Sequence, residues 1–282
     1  MQYMSSEPHQ TPTTPPSCDC HFHVFSAGRF AAGARYVPRY AASLNDWDRF
    51  REPSHIQRGV VVQPSFLGVD NRELLATLAV RQESLRGVGV VAESVTERDL
   101  RRLHANGVRG IRLNLMGVAD DVQTLRDLPS SWWTAIMTAG LHLELHSDVA
   151  RIAALLPHVP QALTVVLDHF AKPRAASLTD ETFRMVNRRL NEKGQTFITL
   201  SGAYRQSEGN PMANERLAHL LARMWLEIAG RDRLLWGSDW PCTNHETQAD
   251  RVSVSHTLDQ WLPEANDRLA VLHVNPHRLY WR

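Results

Sequence analysis

The chain has 282 residues, 43% of them hydrophobic and 22% charged, with 31 basic against 30 acidic side chains and a formal net charge of +1. That is the size of one (β/α)8 barrel or of two ordinary domains, with apolar residues enough for a large core. The balanced charge gives no reason to expect a nucleic-acid or membrane partner, and no apolar run reaches membrane-spanning length.

Residues 1–16 are rich in Pro, Thr and Ser and lack the apolar core of a signal peptide. They read as a mobile tail ahead of one barrel domain over residues 17–282. Cys18, Cys20 and Cys242 make no disulfide framework, which fits a reducing, cytoplasmic compartment. A Cys-x-Cys pair is also compatible with a metal.

Short apolar, β-branched runs at 18–24, 59–63, 87–92, 107–114, 141–146, 163–168, 196–201 and 233–238 predict eight strands. Amphipathic segments at 71–81, 96–105, 132–139, 180–192 and 214–229 predict helices between them. Val60-Val61-Val62 and Val165-Val166-Leu167 are continuously apolar, as strands covered on both faces must be. About eight β-then-α units with no linker between them point to a single parallel (β/α)8 TIM barrel. A doubly wound sheet would carry Gly-x-Gly-x-x-Gly after the first strand, where this chain has His21-Phe22-His23.

On a regular strand His21 and His23 point to one face while Cys20 and Phe22 point to the other. Two stacked imidazoles make a poor core and a good ligand or polarising pair. Further polar groups fall at strand ends: Gln63 and Ser65 after the second, Arg112 and Asn114 at the fourth, and His146 at the fifth. His169 closes the sixth, Tyr204 and Arg205 follow the seventh, and Asp239 closes the eighth. In a parallel barrel these ends converge on one face, where catalytic groups sit. Taken singly, His146 could be an ordinary helix-entry histidine and Asp239 a turn residue. The joint arrangement is what points to a site.

Those residues resemble the amidohydrolase superfamily, and more finely its 2-pyrone-4,6-dicarboxylate lactonases and related lactone hydrolases. The matching stretches are Asp19-Cys-His-Phe-His-Val-Phe25, Arg35-Tyr-Val-Pro38, Val108-Arg-Gly-Ile-Arg-Leu-Asn114, Leu167-Asp-His169, Trp236-Gly-Ser-Asp-Trp-Pro241 and Asn275-Pro-His-Arg-Leu-Tyr-Trp281. The resemblance implies an enzyme that opens a small anionic lactone; a monomer or small homo-oligomer is expected. It implies Asp239 as the base that activates water, with His21, His23 and His169 polarising the carbonyl. It implies Arg112 and Arg205 on substrate carboxylates, with Tyr36, Ser65, Asn114, Lys172 and His146 as further binding groups. A metal-independent reaction is the expectation. If a divalent ion such as Zn is bound, its ligands come from His21, His23, His146, His169 and Asp239.

The chain also departs from the pattern. Leu115-Met-Gly-Val118 stands where an arginine is expected, and Lys172 with Arg174 stands where another is expected. Fewer guanidinium forks leave a muconolactone-like compound or a sugar-acid lactone open as substrate. A metal-dependent decarboxylase and a catalytically silent binding barrel are the rival classes. The intact histidine and aspartate set argues against the silent barrel.

Overall fold

The computed structural model describes residues 14–116, 118, 121–173, 180–191, 195–206, 211–247 and 254–282. Most of the expected tail, residues 1–13, and Arg174 lie outside the described residues. Eight strands form one sheet in sequential order: β1 (Cys18–Phe22), β2 (Arg58–Val62), β3 (Leu85–Gly89), β4 (Val108–Asn114), β5 (His142–His146), β6 (Val165–Leu167), β7 (Thr196–Leu200) and β8 (Leu234–Trp236). Every neighbouring pair is parallel. The sheet closes where the Asp239 N–H donates to the His21 carbonyl and the His23 N–H to the Trp240 carbonyl, both at 2.8 Å. A parallel bridge between Phe22 and Trp240 accompanies them.

Helices α1 (Leu44–Arg51), α2 (Arg72–Val80), α3 (Glu97–Ala105), α4 (Asp121–Asp127), α5 (Ser130–Thr138), α6 (Val149–Leu155), α7 (Asp180–Asn191) and α8 (Pro211–Ala229) follow the strands. Helices α9 (Val254–Trp261), α10 (Ala265–Leu269) and α11 (Asn275–Tyr280) complete the described chain. The architecture is the single (β/α)8 barrel that the alternating pattern predicts. Helices α1, α4, α6, α9, α10 and α11 have no counterpart among the predicted segments. They are short, so their apolar stripe is too brief to show a period. Local chemistry starts two of them: Ser43 and Asp46 form a reciprocal capping box on α1, and the Asp148 side chain accepts from the Arg151 N–H on α6. Among the described residues, no helix is long and apolar enough to cross a membrane.

Two apolar layers result from strand alternation. Val60, Val62, Val88, Val166 and Leu235 fill the barrel interior with Cys20. Their neighbours Val61, Val165, Leu167 and Leu234 face outward into the layer beneath the helices. On β5 the outward residues are Leu143 and Leu145, which turns His142, Glu144 and His146 inward.

Strand β1 breaks this alternation. Its pairing with β2 shifts register between Asp19 and Phe22. Cys20 and His21 therefore both reach the inner side, contrary to the regular strand expected from the sequence; an extra residue in one strand of a pair produces this. Asp19, freed from the interior, ties the seam. Its carboxylate accepts from the Trp47 indole at 3.0 Å, the Ser238 N–H at 2.9 Å and the Ser238 hydroxyl at 2.6 Å. Trp47 in turn stacks on Phe22 with ring centroids 4.0 Å apart.

Candidate active site

The bulge and the seam deliver His21, His23 and Asp239 to one end of the barrel, at the C-terminal ends of β1 and β8. Asp239 sits in left-handed backbone, φ 56°, and is fully buried. Its Oδ2 accepts from the Tyr204 hydroxyl at 2.6 Å and from Arg205 Nε at 2.9 Å. Its Oδ1 has no hydrogen-bond partner and faces His23 Nε2 at 3.3 Å and His21 Nε2 at 3.8 Å. Glycine makes room for this crowding. A Cβ on Gly237 would lie 2.5 Å from the Cβ of His21, and one on Gly202, φ +59°, would lie 2.9 Å from His169 Nδ1 and 3.1 Å from Asp239 Oδ2.

A second charged layer lies beside the first. Arg112 donates through Nε and Nη2 to Asp168 Oδ2, at 3.1 and 2.7 Å, and its Nε lies 3.2 Å from Glu144 Oε1. Asp168 Oδ1 lies 3.1 Å from His21 Nδ1. Expected at the mouth, Arg112 is instead buried within the barrel and committed to two carboxylates. An interior β4 position that would hold an aliphatic residue in an ordinary barrel holds a guanidinium, and only paired acids make that tolerable. Glu144 and Asp168, not singled out as site residues from the sequence, are those acids. Tyr204 is the other group that the sequence reading left without a role. Asp168 lies in the Leu167-Asp-His169 stretch, where only the histidine was given a role, whereas Glu144 and Tyr204 lie in no motif that marks them; the arginine expected on β4 was the available signal.

Four imidazoles run in a chain, with ring centroids 5.1 Å apart for His23 and His21, 4.8 Å for His21 and His169, and 4.7 Å for His169 and His146. Their protonation differs. Burial pulls His23, His146 and His169 toward the neutral form, His169 to about 3. Burial acts on His21 as well, but the charge and hydrogen-bonding of Asp168 outweigh it and raise its pKa. Burial opposes ionisation of Asp239, yet the Arg205 charge, first among its neighbours, holds its pKa well below the usual range. Burial and then the Asp168 charge push Glu144 up to about 8, so it carries a proton at neutral pH.

Hydrogen bonds orient the neutral rings. His23 Nδ1 donates to the Val62 carbonyl at 2.8 Å, which leaves a lone pair on Nε2 beside Asp239 Oδ1. His146 Nδ1 faces an Arg112 Nη2 donor at 3.2 Å, so its Nε2 carries the hydrogen, buried and without a partner. His169 Nδ1 lies 2.9 Å from the Ser201 hydroxyl. His169 also begins four successive residues with positive φ, 51°, 58°, 56° and 39° through Lys172, a left-handed turn with no glycine. That turn bends the chain sharply and sets the His169 ring between His21 and His146.

The remaining expected residues lie at or after the C-terminal ends of the strands. Arg205 is partly exposed, and its Nη2 donates to the Thr243 carbonyl at 3.2 Å. Tyr36 is half-buried with its ring edge on Phe66, and it contributes to the charge environment of Arg205. Lys172 is half-buried, and its charge acts on both His146 and His245. Ser65 is half-buried at the start of a short turn after β2. Asn114 ends β4 opposite His146, and its Oδ1 accepts from the Met116 N–H at 3.2 Å, which shapes the loop. For a cation, ligand atoms of His21, His169 and Asp239 lie within 4.8 Å of one another. The lone pairs on His23 Nε2 and Asp239 Oδ1 make the donor set chemically suitable for one divalent ion.

Comparison with known proteins places this arrangement in a family. A 2-pyrone-4,6-dicarboxylate hydrolase of Comamonas testosteroni is 30% identical over 278 residues, covering 93% of this chain and 89% of the relative. A 4-sulfomuconolactone hydrolase of Rhizobium radiobacter is 27% identical over 273 residues, with 93% and 89% covered. A crystal structure from Acinetobacter baumannii, described as a probable 2-pyrone-4,6-dicarboxylic acid hydrolase with citric acid bound, superposes with a TM-score of 0.82 at 28% identity. That match covers 94% of this chain and 99% of the other. The amidohydrolase family profile matches residues 18–282, and the chain belongs to the amidohydrolase family.

Proposed function

We propose that this protein hydrolyses the ring ester of a small carboxylated lactone, with Asp239 as general base. The observation that carries the reading is the asymmetry of Asp239. Oδ2 is saturated by Tyr204 and Arg205, while Oδ1 is open, buried and ionised beside two imidazoles. A water on Oδ1 loses a proton to it as its oxygen attacks the lactone carbonyl. The His146 Nε2–H and the raised-pKa His21 are donors for the oxyanion. His169 joins them in the tautomer whose Nδ1 accepts from Ser201. Collapse breaks the ring C–O bond, and the proton on Asp239 passes to the departing ring oxygen. His23, with Nδ1–H committed to Val62, acts as an acceptor that orients the water. Arg112 positions His21 and His146 through Asp168 and its own Nη2.

Arg205, Lys172 and Tyr36 at the entrance suit a carboxylate. The charged substrates in the names of the two curated relatives support an anionic ring over a neutral one. Should a divalent ion occupy His21, His169 and Asp239, it would supply Lewis-acid polarisation of the carbonyl. The Arg205 guanidinium, 2.9 Å from Asp239, already supplies a fixed positive charge there, which favours the metal-independent reading. The test is a turnover panel of 2-pyrone-4,6-dicarboxylate, muconolactone, a sugar-acid lactone and an uncharged six-membered lactone. Hydrolysis confined to the carboxylated rings is expected. Equal rates on the uncharged ring would overturn the anionic specificity, and no hydrolysis of any ring would overturn the reading.

A further inference from the structure

Among the described residues, the opposite end of the barrel holds arginines without an ion-pair partner. Arg58 is the first residue of β2, Arg86 the second of β3 and Arg109 the second of β4, three adjacent strands. The guanidinium carbons of Arg58 and Arg86 lie 4.6 and 5.0 Å from the centre of the Trp281 ring. Trp281 is itself fixed by donating from its indole to the Glu83 carbonyl at 3.0 Å. Arg58 Nη1 lies 3.2 Å from His277 Nδ1. Arg109 and Arg86 spend donors on backbone carbonyls of His104, Val108, Gln82, Leu85 and Tyr280. Among the described residues, no carboxylate lies within 4.0 Å of any of the three guanidinium groups, whereas nearly every other buried charge in the barrel is paired.

We infer that Arg58 and Arg86, stacked on Trp281 at the base of the barrel, and Arg109 on the next strand form a binding site for a compact oxyanion with two or more negative charges. All three are half-buried and still open to solvent, so they are desolvated enough to gain from a partner and accessible enough to take one. Burial, and then Arg109 and Arg58, lower Arg86 to about 10, the signature of like charges held together without compensation. His104 and His277, beside this group, are also driven toward the neutral form, by burial first and then by these arginines. Guanidinium forks from adjacent strands match the oxygens of a phosphate or of a small dicarboxylate. In a barrel enzyme this face ordinarily serves stability alone.

Inorganic phosphate and succinate serve as probes in calorimetric titration and thermal melting at constant ionic strength. One equivalent is expected to bind, with the melting midpoint rising by about 3 °C at roughly ten times the dissociation constant. The Arg86→Gln/Arg109→Gln variant should lose about 10-fold or more in affinity. Arg205→Met, altered at the far end, should keep the affinity of the basal equivalent, losing only such additional succinate as the mouth holds. If the double variant does not fold, Arg109→Gln alone provides the same comparison. A preference for phosphate or for succinate identifies the source of the anion. Binding lost in Arg205→Met and kept in the basal variants would assign the anion to the barrel mouth and overturn the proposal. So would a midpoint shift matched by chloride, or no saturable binding of either probe.

Discussion

Arg205 connects substrate charge to the reactivity of the base, because one guanidinium touches Asp239 and reaches the entrance. Arg205→Met should raise KM for a carboxylated lactone by about 10-fold or more, the worth of a charge-assisted hydrogen bond. It should also move the acid limb of the kcat/KM profile to higher pH, since the guanidinium is the main charge that keeps Asp239 ionised. A limb unchanged in the variant would separate Arg205 from the base. Glu144 makes a different prediction. Its folded-state pKa is raised to about 8, against about 4.3 for an unfolded glutamate, so the folded state binds the extra proton. Stability from this group is therefore lost as pH rises from about 4.3 to 8. Glu144→Gln, which mimics the protonated form, should flatten that part of the melting-midpoint profile. A profile as steep as that of the unaltered protein would refute a protonated Glu144.

At the scale of elements, the seam between β1 and β8 is where fold and site depend on the same residues. Asp19→Ala strands the Trp47 indole N–H and both the N–H and hydroxyl of Ser238. Unsatisfied buried donors cost about 1–3 kcal/mol each, so a loss of about 3 kcal/mol or more is expected in chemical denaturation. A loss below about 1 kcal/mol would mean that the seam relaxes around the missing carboxylate. The strands themselves were legible, because a parallel sheet covered on both faces needs uninterrupted β-branched runs, and Val60–Val62 and Val165–Leu167 supply them. The bulge in β1 was not legible, because Cys20 and His21 carry no turn residue to mark a break in alternation. The left-handed turn at His169–Lys172 was equally hidden, since it lacks the glycine or asparagine that normally announces positive φ.

At the scale of the molecule, order along the chain predicted which strand ends meet, and this brought His21, His23, His146, His169 and Asp239 together. It could not tell an inward from an outward position at a given strand end, because both faces of a barrel strand are buried. Arg112 therefore read as a group at the mouth, whereas its phase on β4 turns it inward, to Asp168 and Glu144. The metal question also belongs to this scale. With Arg205 and the donor histidines already arranged around the reacting atoms, exhaustive chelation should leave lactone turnover within about twofold of the untreated rate. Complete loss, restored by one equivalent of Zn, would contradict the metal-independent reading. The most direct test of the account is Asp239→Asn. The amide keeps the shape, its oxygen can accept from Tyr204 and Arg205, and its NH2 can face His23 Nε2, so the melting midpoint should hold. The variant cannot take a proton from water, and kcat should fall by ~10²–10⁴. Near-normal kcat together with a lowered melting midpoint would make Asp239 a structural turn residue and contradict the account.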